Sequence, residues 1–185
     1  LGGERCEITV MFADLRGFTP WSETHDPETV MDVLNGILSS AVEIILESGA
    51  ILDKFMGDAL MAIFNAPNQQ DDHATQAIQC AQKICTLDNL NQKLQFGIGI
   101  NTGIAVVGNI GNIKAMNYTA IGDTVNVAKR IEEQTTSGQI LIGERTHQLA
   151  SPEIYRTEKS RIKLRGREKE ATIYQVHCGN ELGQN

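Results

Sequence analysis

Apolar positions change period several times along the chain, and each change marks an expected element. Residues 7–14 (EITVMFAD) mix β-branched and apolar side chains and end on an acid, the pattern of a strand. Asp26 and Pro27 then supply a helix cap and a first-turn proline. Apolar residues recur at Val30, Leu34, Ile37, Leu38, Ala41, Ile44 and Ile45, one face of a long amphipathic helix that Gly49 ends. ILDKF and DALMAIF read as two strands of a hairpin whose two-residue loop is Met56-Gly57. Asp71-Asp72 opens a second helix through Ala74, Ala77, Ile78, Ala81 and Ile84. Residues 94–100 and 104–107 read as a second hairpin, turning at Asn101-Thr102-Gly103. Residues 118–121 are a short extended piece, and Gly122-Asp123 caps a third helix reaching about Thr135. Residues 139–142 return as a strand, and further short strands are expected at 154–158, 162–164 and 173–176.

The order β-α-β-β-α-β with an αβ extension predicts an α+β fold. It is a ferredoxin-like antiparallel sheet with helices on one face, plus a C-terminal αβ extension. At 185 residues the chain is long enough to bury one sizeable core, and residues 1–185 are expected to form a single domain. Hydrophobic content of 41% fits a globular domain, and no unbroken apolar run approaches the length of a bilayer span. The opening LGG reads as a cut edge, so the chain is expected to be a piece of a larger protein.

Cys6, Cys80, Cys85 and Cys178 have neither disulfide-like nor zinc-like spacing, which favours plain packing in a reducing, cytoplasmic compartment. A net charge of −7 argues against a general nucleic-acid binder. Yet Arg156, Lys159, Arg161, Lys163, Arg165, Arg167 and Lys169 crowd one stretch, either a solvated strand pair or a landing place for phosphates. The glycines of FGIGINTG imitate a dinucleotide fingerprint, but the spacing is GxGxxxG and a strand pattern follows. They are expected to thin a strand and make its turn.

Candidate chemistry gathers at two acids. Asp14 ends the first strand and Asp58 begins the third, and those strands are neighbours in a ferredoxin-like sheet. Two carboxylates meeting there repel unless a divalent cation lies between them, and Mg²⁺ takes one or two carboxylates together with waters and phosphates. Each acid could instead simply cap a turn. Gly17, Phe18 and Thr19 follow closely, in a loop whose backbone N–H groups could close around an anion. With Met56-Gly57 as the loop, Lys54 and Asp58 point to opposite faces, so no direct salt bridge is expected between them. On the third helix Val125, Ala128 and Ile131 form one face. Asn126 and Arg130 share the other, where they are either solvated or suited to a ribose and a phosphate.

The segments MFADLRGFT, DKFMGDALMAIF, GIGINTGIAVVGNIG, YTAIGDTVNVAKRIE and KLRGREKEATIYQV resemble, in order, the catalytic domain of class III nucleotidyl cyclases, close to bacterial adenylyl cyclases. The resemblance implies conversion of ATP to 3′,5′-cyclic AMP and pyrophosphate with two Mg²⁺ or Mn²⁺ ions. Asp14 and Asp58 match the metal aspartates, with the carbonyl of Leu15 as a further ligand, and Gly17, Phe18 and Thr19 match the wrap around the terminal phosphates. Lys54 matches the adenine-reading lysine. Thr119 falls where many members carry an aspartate for the adenine amino group. Asn126 matches the ribose-orienting asparagine and Arg130 the transition-state arginine. Arg165 stands where the family usually has a phosphate-binding lysine. Guanylyl members generally carry an acid at the Lys54 position and a cysteine at the Thr119 position, which this chain lacks. The alternatives are a non-catalytic nucleotide-sensing dimer and, disfavoured by Lys54, a guanylyl cyclase. The family works as head-to-tail dimers, so the resemblance implies a homodimer with Lys54 and Asp58 in different active sites. The threonine subtype is associated with bicarbonate or CO₂ stimulation, an expectation resting on Thr119 alone.

Overall fold

The computed structural model describes residues 2–87, 93–112, 114–166 and 170–177, so Cys178, Arg167 and Lys169 lie outside the described residues. The first part of the chain builds β1 (Gly3–Arg16), α1 (Phe18–Ser22), α2 (Pro27–Glu47), β2 (Ile51–Met56), β3 (Ala59–Phe64), α3 (His73–Cys85) and β4 (Gln95–Asn112). β5 (Ala115–Ile121), α4 (Asp123–Glu132), β6 (Ile140–Gly143), α5 (Glu144–Leu149), β7 (Thr157–Ile162) and β8 (Ala171–Val176) follow. The sheet runs β2-β3-β1-β4-β6-β8-β7, with β5 paired to β4. β1 sits antiparallel between β3 and β4, the ferredoxin-like arrangement, and the extension adds β6 parallel to β4.

α2 forms where the sequence places its cap. Asp26 accepts hydrogen bonds from the backbone N–H and the hydroxyl of Thr29, at 2.8 and 2.7 Å, and these hold its carboxyl below the ordinary range. By length and composition α2 could cross a bilayer, but its Ile37, Leu38, Ala41 and Ile45 are buried in the core against the sheet. α2 and α3 cover one face, over Met11, Ala13 and Leu15 of β1 and Leu60, Ala62 and Phe64 of β3. α4, which belongs to the extension, covers the other face. Its Ala128 packs with Val10, Phe12, Met61 and Ile63, and its Ile131 with Leu141 and Ile173.

Two turns differ from expectation. Asn101, Thr102 and Gly103 make no hairpin: they lie inside the continuous β4, paired with Val10, Thr9 and Ile8 of β1. The residue types suit a turn, but a long partner strand fixes the backbone, and the side chains serve other ends. Asn101 Nδ2 donates to the Thr124 carbonyl at 3.1 Å, and Thr102 joins a buried hydroxyl chain. The true hairpin is β4–β5, where Asn112 Oδ1 accepts from the backbone N–H groups of Lys114 and Ala115. The second difference is the β2–β3 turn, which is Gly57-Asp58 rather than Met56-Gly57. Met56 therefore pairs with Ala59 and Lys54 with Met61, with a bulge between Leu52 and Lys54. At the C-terminus the two expected strands at 154–158 and 162–164 are one strand, β7, preceded by a 3₁₀ turn over Pro152–Ile154. α1 and α5 are too short to show a helical period, and α4 ends at Glu132 rather than near Thr135.

Cys6, Cys80 and Cys85 are free. Burial pushes the Cys80 thiol up to about 12, which makes it an inert core group, in line with plain packing.

Candidate active site

The site lies on the α4 face. Even-numbered positions of β1 point there, so Phe12, Asp14 and Arg16 share that face while Met11, Ala13 and Leu15 enter the opposite core. Asp14 pairs with Ala59, which places it beside the Gly57-Asp58 turn. The two carboxylates sense each other: burial pushes the Asp58 carboxyl up, and the Asp14 charge pushes the same way. Its own backbone N–H and the charges of Arg16 and Lys129 oppose that shift. Two neighbouring acids, one raised by burial and by the other's charge, fit a divalent cation, which would offset both effects. Among the described residues no group of three or more His, Cys, Asp or Glu gathers as a ready-made metal cage.

Arg16 ties this end of β1 to α4. Its Nη1 donates to Asp14 at 2.8 Å. Its Nη2 donates to the Glu132 carboxylate at 2.5 Å, to the Glu132 carbonyl at 2.8 Å and to the Thr135 hydroxyl at 3.0 Å. Lys129 Nζ closes a second ion pair with Glu132 and lies 5.8 Å from the Phe12 ring centroid. Burial raises the Glu132 carboxyl, and these two cations pull it back. Close packing makes the tie possible: a Cβ on Gly99 would stand 2.2 Å from the Glu132 backbone nitrogen, so α4 rests directly on β4 there. The glycines of FGIGINTG thus serve helix–strand contact.

Gly17 has φ +83° and caps α1, whose first backbone N–H groups, at Phe18 and Thr19, have no partner within so short a helix. Phe18 is half-buried against the core, whereas Gly17 and Thr19 are exposed. The Leu15 side chain is buried in that core. On α4, Asn126 is exposed and Arg130 half-buried on the side away from Ala128 and Ile131. A Cβ on Gly166 would lie 3.6 Å from Arg130 Nη2, which puts the turn carrying the exposed Arg165 against that arginine. Arg156, Lys159, Arg161 and Lys163 are exposed along and beside β7.

A second constellation sits at the bulge of β2. Thr119 of β5 donates its hydroxyl to Asp53 Oδ2 at 2.9 Å, and Lys54 Nζ approaches the same oxygen at 3.2 Å. Consecutive strand residues ordinarily face opposite ways. The register shift between Leu52 and Lys54 breaks that alternation, so that the Asp53 carboxylate lies beside its neighbour's ammonium. Lys54 and Thr119, far apart in the chain, therefore meet at one carboxylate. No ion pair joins Lys54 to Asp58 among the described residues, although the opposed faces expected for them rested on a Met56-Gly57 turn that the structure replaces with Gly57-Asp58. Nor does a hydrogen bond or ion pair link this constellation to the Asp14–Arg16–Glu132 cluster among the described residues.

Sequence reasoning passed over Asp53, Arg16, Lys129 and Glu132. Arg16 carried a usable signal, since it lies two residues beyond Asp14 on a strand and so shares its face. Lys129 and Glu132 are three apart on a helix, the spacing of an ion pair. Asp53 carried none, because its orientation depends on a bulge.

Residues 3–178 match the family model described as the adenylate and guanylate cyclase catalytic domain. An adenylate cyclase of Anabaena cylindrica is 34% identical over 91% of this chain and 36% of that protein. This chain spans about a third or less of the length of these curated relatives, among them adenylate cyclases of Dictyostelium discoideum and Rhizobium meliloti. Among solved structures, the adenylyl cyclase CyaB from P. aeruginosa is 32% identical with a TM-score of 0.91, covering 98% of each chain. The guanylyl cyclase Cya2 is 37% identical with a TM-score of 0.89, covering 98% of this chain and 97% of that one.

Proposed function

The chain belongs to the family of adenylate and guanylate cyclase catalytic domains, and from that premise we propose that it cyclises ATP to 3′,5′-cyclic AMP. The observation that carries this reading is the meeting of Asp14 and Asp58 at adjoining strand ends, where burial and the Asp14 charge raise the Asp58 carboxyl. In the reaction the 3′-oxygen of ATP bonds to the α-phosphorus and the bond from that phosphorus to pyrophosphate breaks. The hydroxyl proton leaves to solvent or to the nucleotide.

Asp14 and Asp58, with the Leu15 carbonyl, would hold two Mg²⁺ or Mn²⁺ ions. Bound there, such ions lower the pKa of the 3′-hydroxyl and neutralise phosphate charge. Arg16 keeps Asp14 in place, and Gly17, Phe18 and Thr19 offer backbone N–H groups to the terminal phosphates. Asn126 orients the ribose. Arg130 meets charge on the α-phosphate, and Arg165 adds a cation beside it. Lys54 and Thr119 read the base.

The relatives include both adenylyl and guanylyl cyclases, so the base is assigned on those two residues. An ammonium donor suits adenine N1, and a hydroxyl can accept from the 6-amino group. The same two residues lie apart from the acids within one chain, which supports sites shared across a head-to-tail homodimer. Exposed Phe55, Ile104, Val106, Met116 and Ile121 offer apolar surface for such an interface.

Mixing two inactive variants tests the reading. Asp58→Ala and Arg130→Ala should each lose about 10²–10³-fold in cyclic AMP formation. Mixed in equal amounts, half of the dimers carry one intact site, so activity should return to about a quarter of wild type. A mixture that stays dead beside an active wild type would rule out shared sites. A wild type that binds ATP without turning it over would favour the nucleotide-sensing module instead.

A further inference from the structure

The Asp53 carboxylate is enclosed on the site face, and its bonding is unusual in where it goes. Its side chain is 0% exposed. Oδ2 takes the Thr119 hydroxyl proton and the Lys54 ammonium, while Oδ1 has no hydrogen-bond partner. A buried carboxylate kept for structure would be expected to bind backbone N–H groups through both oxygens. This one bonds the two proposed base-reading residues and nothing else among the described residues. The bulge between Leu52 and Lys54 falls at that position and brings Lys54 beside it.

A hydroxyl carries one proton and two lone pairs, and it ordinarily rotates to donate or accept as a ligand requires. Here the proton is committed, because an ionised carboxylate can only accept. We infer that Asp53 is a specificity-setting positioning residue: by holding the Thr119 proton, it leaves the hydroxyl able only to accept. That polarity matches the 6-amino group of adenine, a donor, and opposes the 6-oxo group of guanine, an acceptor. By engaging Lys54, the same oxygen keeps the ammonium next to Thr119, so that the donor and the acceptor lie side by side along one edge of the base. The inference rests on the reading of Lys54 and Thr119 as the base-recognition pair.

The test compares kcat and KM for ATP and for purine riboside 5′-triphosphate, which differ only at the 6-position. Wild type should prefer ATP by about 10-fold or more in kcat/KM, since an acceptor built for a donor loses its partner in the hydrogen analogue. Asp53→Asn reverses the polarity, because an amide can donate to Thr119 Oγ and release its proton. The preference should then collapse towards unity, with the ratio of GTP to ATP use raised. Thr119→Val should lose the preference, and Thr119→Ser should keep it.

If Asp53→Asn lowers the rates for both triphosphates equally, Asp53 is merely structural and the inference is overturned. If Thr119→Val keeps the 6-amino preference, the base-recognition reading itself fails, a different result from Thr119→Val losing it while Asp53→Asn does not. Should Asp53→Asn not fold, the wild type and the two Thr119 variants still decide. A wild type indifferent to the 6-amino group, or a Thr119→Ser variant that loses the preference, overturns the inference.

Discussion

The two faces of the central sheet treat buried polar groups differently. On the face covered by α2, α3 and α5, His73 Nδ1 bonds the Thr9 hydroxyl at 2.7 Å. That hydroxyl meets Thr102 at 2.7 Å, and Thr102 meets Thr146 at 2.9 Å. This line of bonds ties α3 and α5 to β1 and β4 and gives each of its members a partner. On the α4 face the described residues include two buried atoms without partners, Arg16 Nε and Asp53 Oδ1. Both belong to the two constellations of the candidate site. One face spends its polar groups on cohesion. The other keeps charge desolvated and incompletely paired, as a site awaiting a charged ligand must.

The comparison breaks most directly at Asp58. Asp58→Asn should cost about 10²–10³-fold in cyclase rate and abolish the rise in melting temperature that saturating Mg²⁺ with a nucleotide gives wild type. In metal-free buffer at neutral pH it should instead melt at or above wild type. A carboxyl whose value is raised on folding costs stability once it ionises, so removing it relieves that cost. Marked metal-free destabilisation would show that Asp58 is a structural acid after all.

Arg16→Ala should come next. It leaves Glu132 buried with Lys129 alone and frees Asp14, which should destabilise the chain by about 1–3 kcal/mol. Thermal melting reads that loss, and a metal titration of activity should show weaker binding with kcat affected less.

On the packed face the sign reverses: stability should respond and chemistry should not. Burial, the largest influence, holds His73 below the ordinary histidine value of 6.5, with Arg145 acting the same way and Glu7 and Asp72 opposing. Below 6.5 the unfolded chain takes up a proton that the folded chain refuses. Stability should therefore fall as pH drops from 6.5 towards the lower folded value, by at most about 1.4 kcal/mol per pH unit. Denaturant melts of wild type and His73→Gln across that window should show the slope only in wild type. The smallest effect expected is bicarbonate stimulation. A titration at fixed pH should raise the cyclase rate by less than about 5-fold, and a flat response would remove the expectation carried by Thr119.

Most of the fold was legible because its main elements are long and periodic. The face of α2 follows from Ile37, Leu38, Ala41 and Ile45, and its start from Asp26 and Pro27. Asp14 and Asp58 could be brought together from strand order alone. Turn chemistry misled at Asn101-Thr102-Gly103, because pairing with β1 outweighs local preference, and at Met56-Gly57, where the turn lies one residue further on. The β2–β3 register, with its bulge, decides where Asp53 points, and a bulge leaves no mark in the pattern of apolar residues. The acid cluster was therefore readable, whereas the Asp53–Lys54–Thr119 knot was open only to coordinates.

Gly99 has a consequence for how this chain can vary through descent. Any side chain there would collide with the backbone of α4, so a missense change should lift the helix and carry Asn126 and Arg130 with it. A random screen for inactive variants would return that position beside the acids, although it touches neither nucleotide nor ion. Inheritance would guard the residue as closely as any that does chemistry, for the sake of a distance.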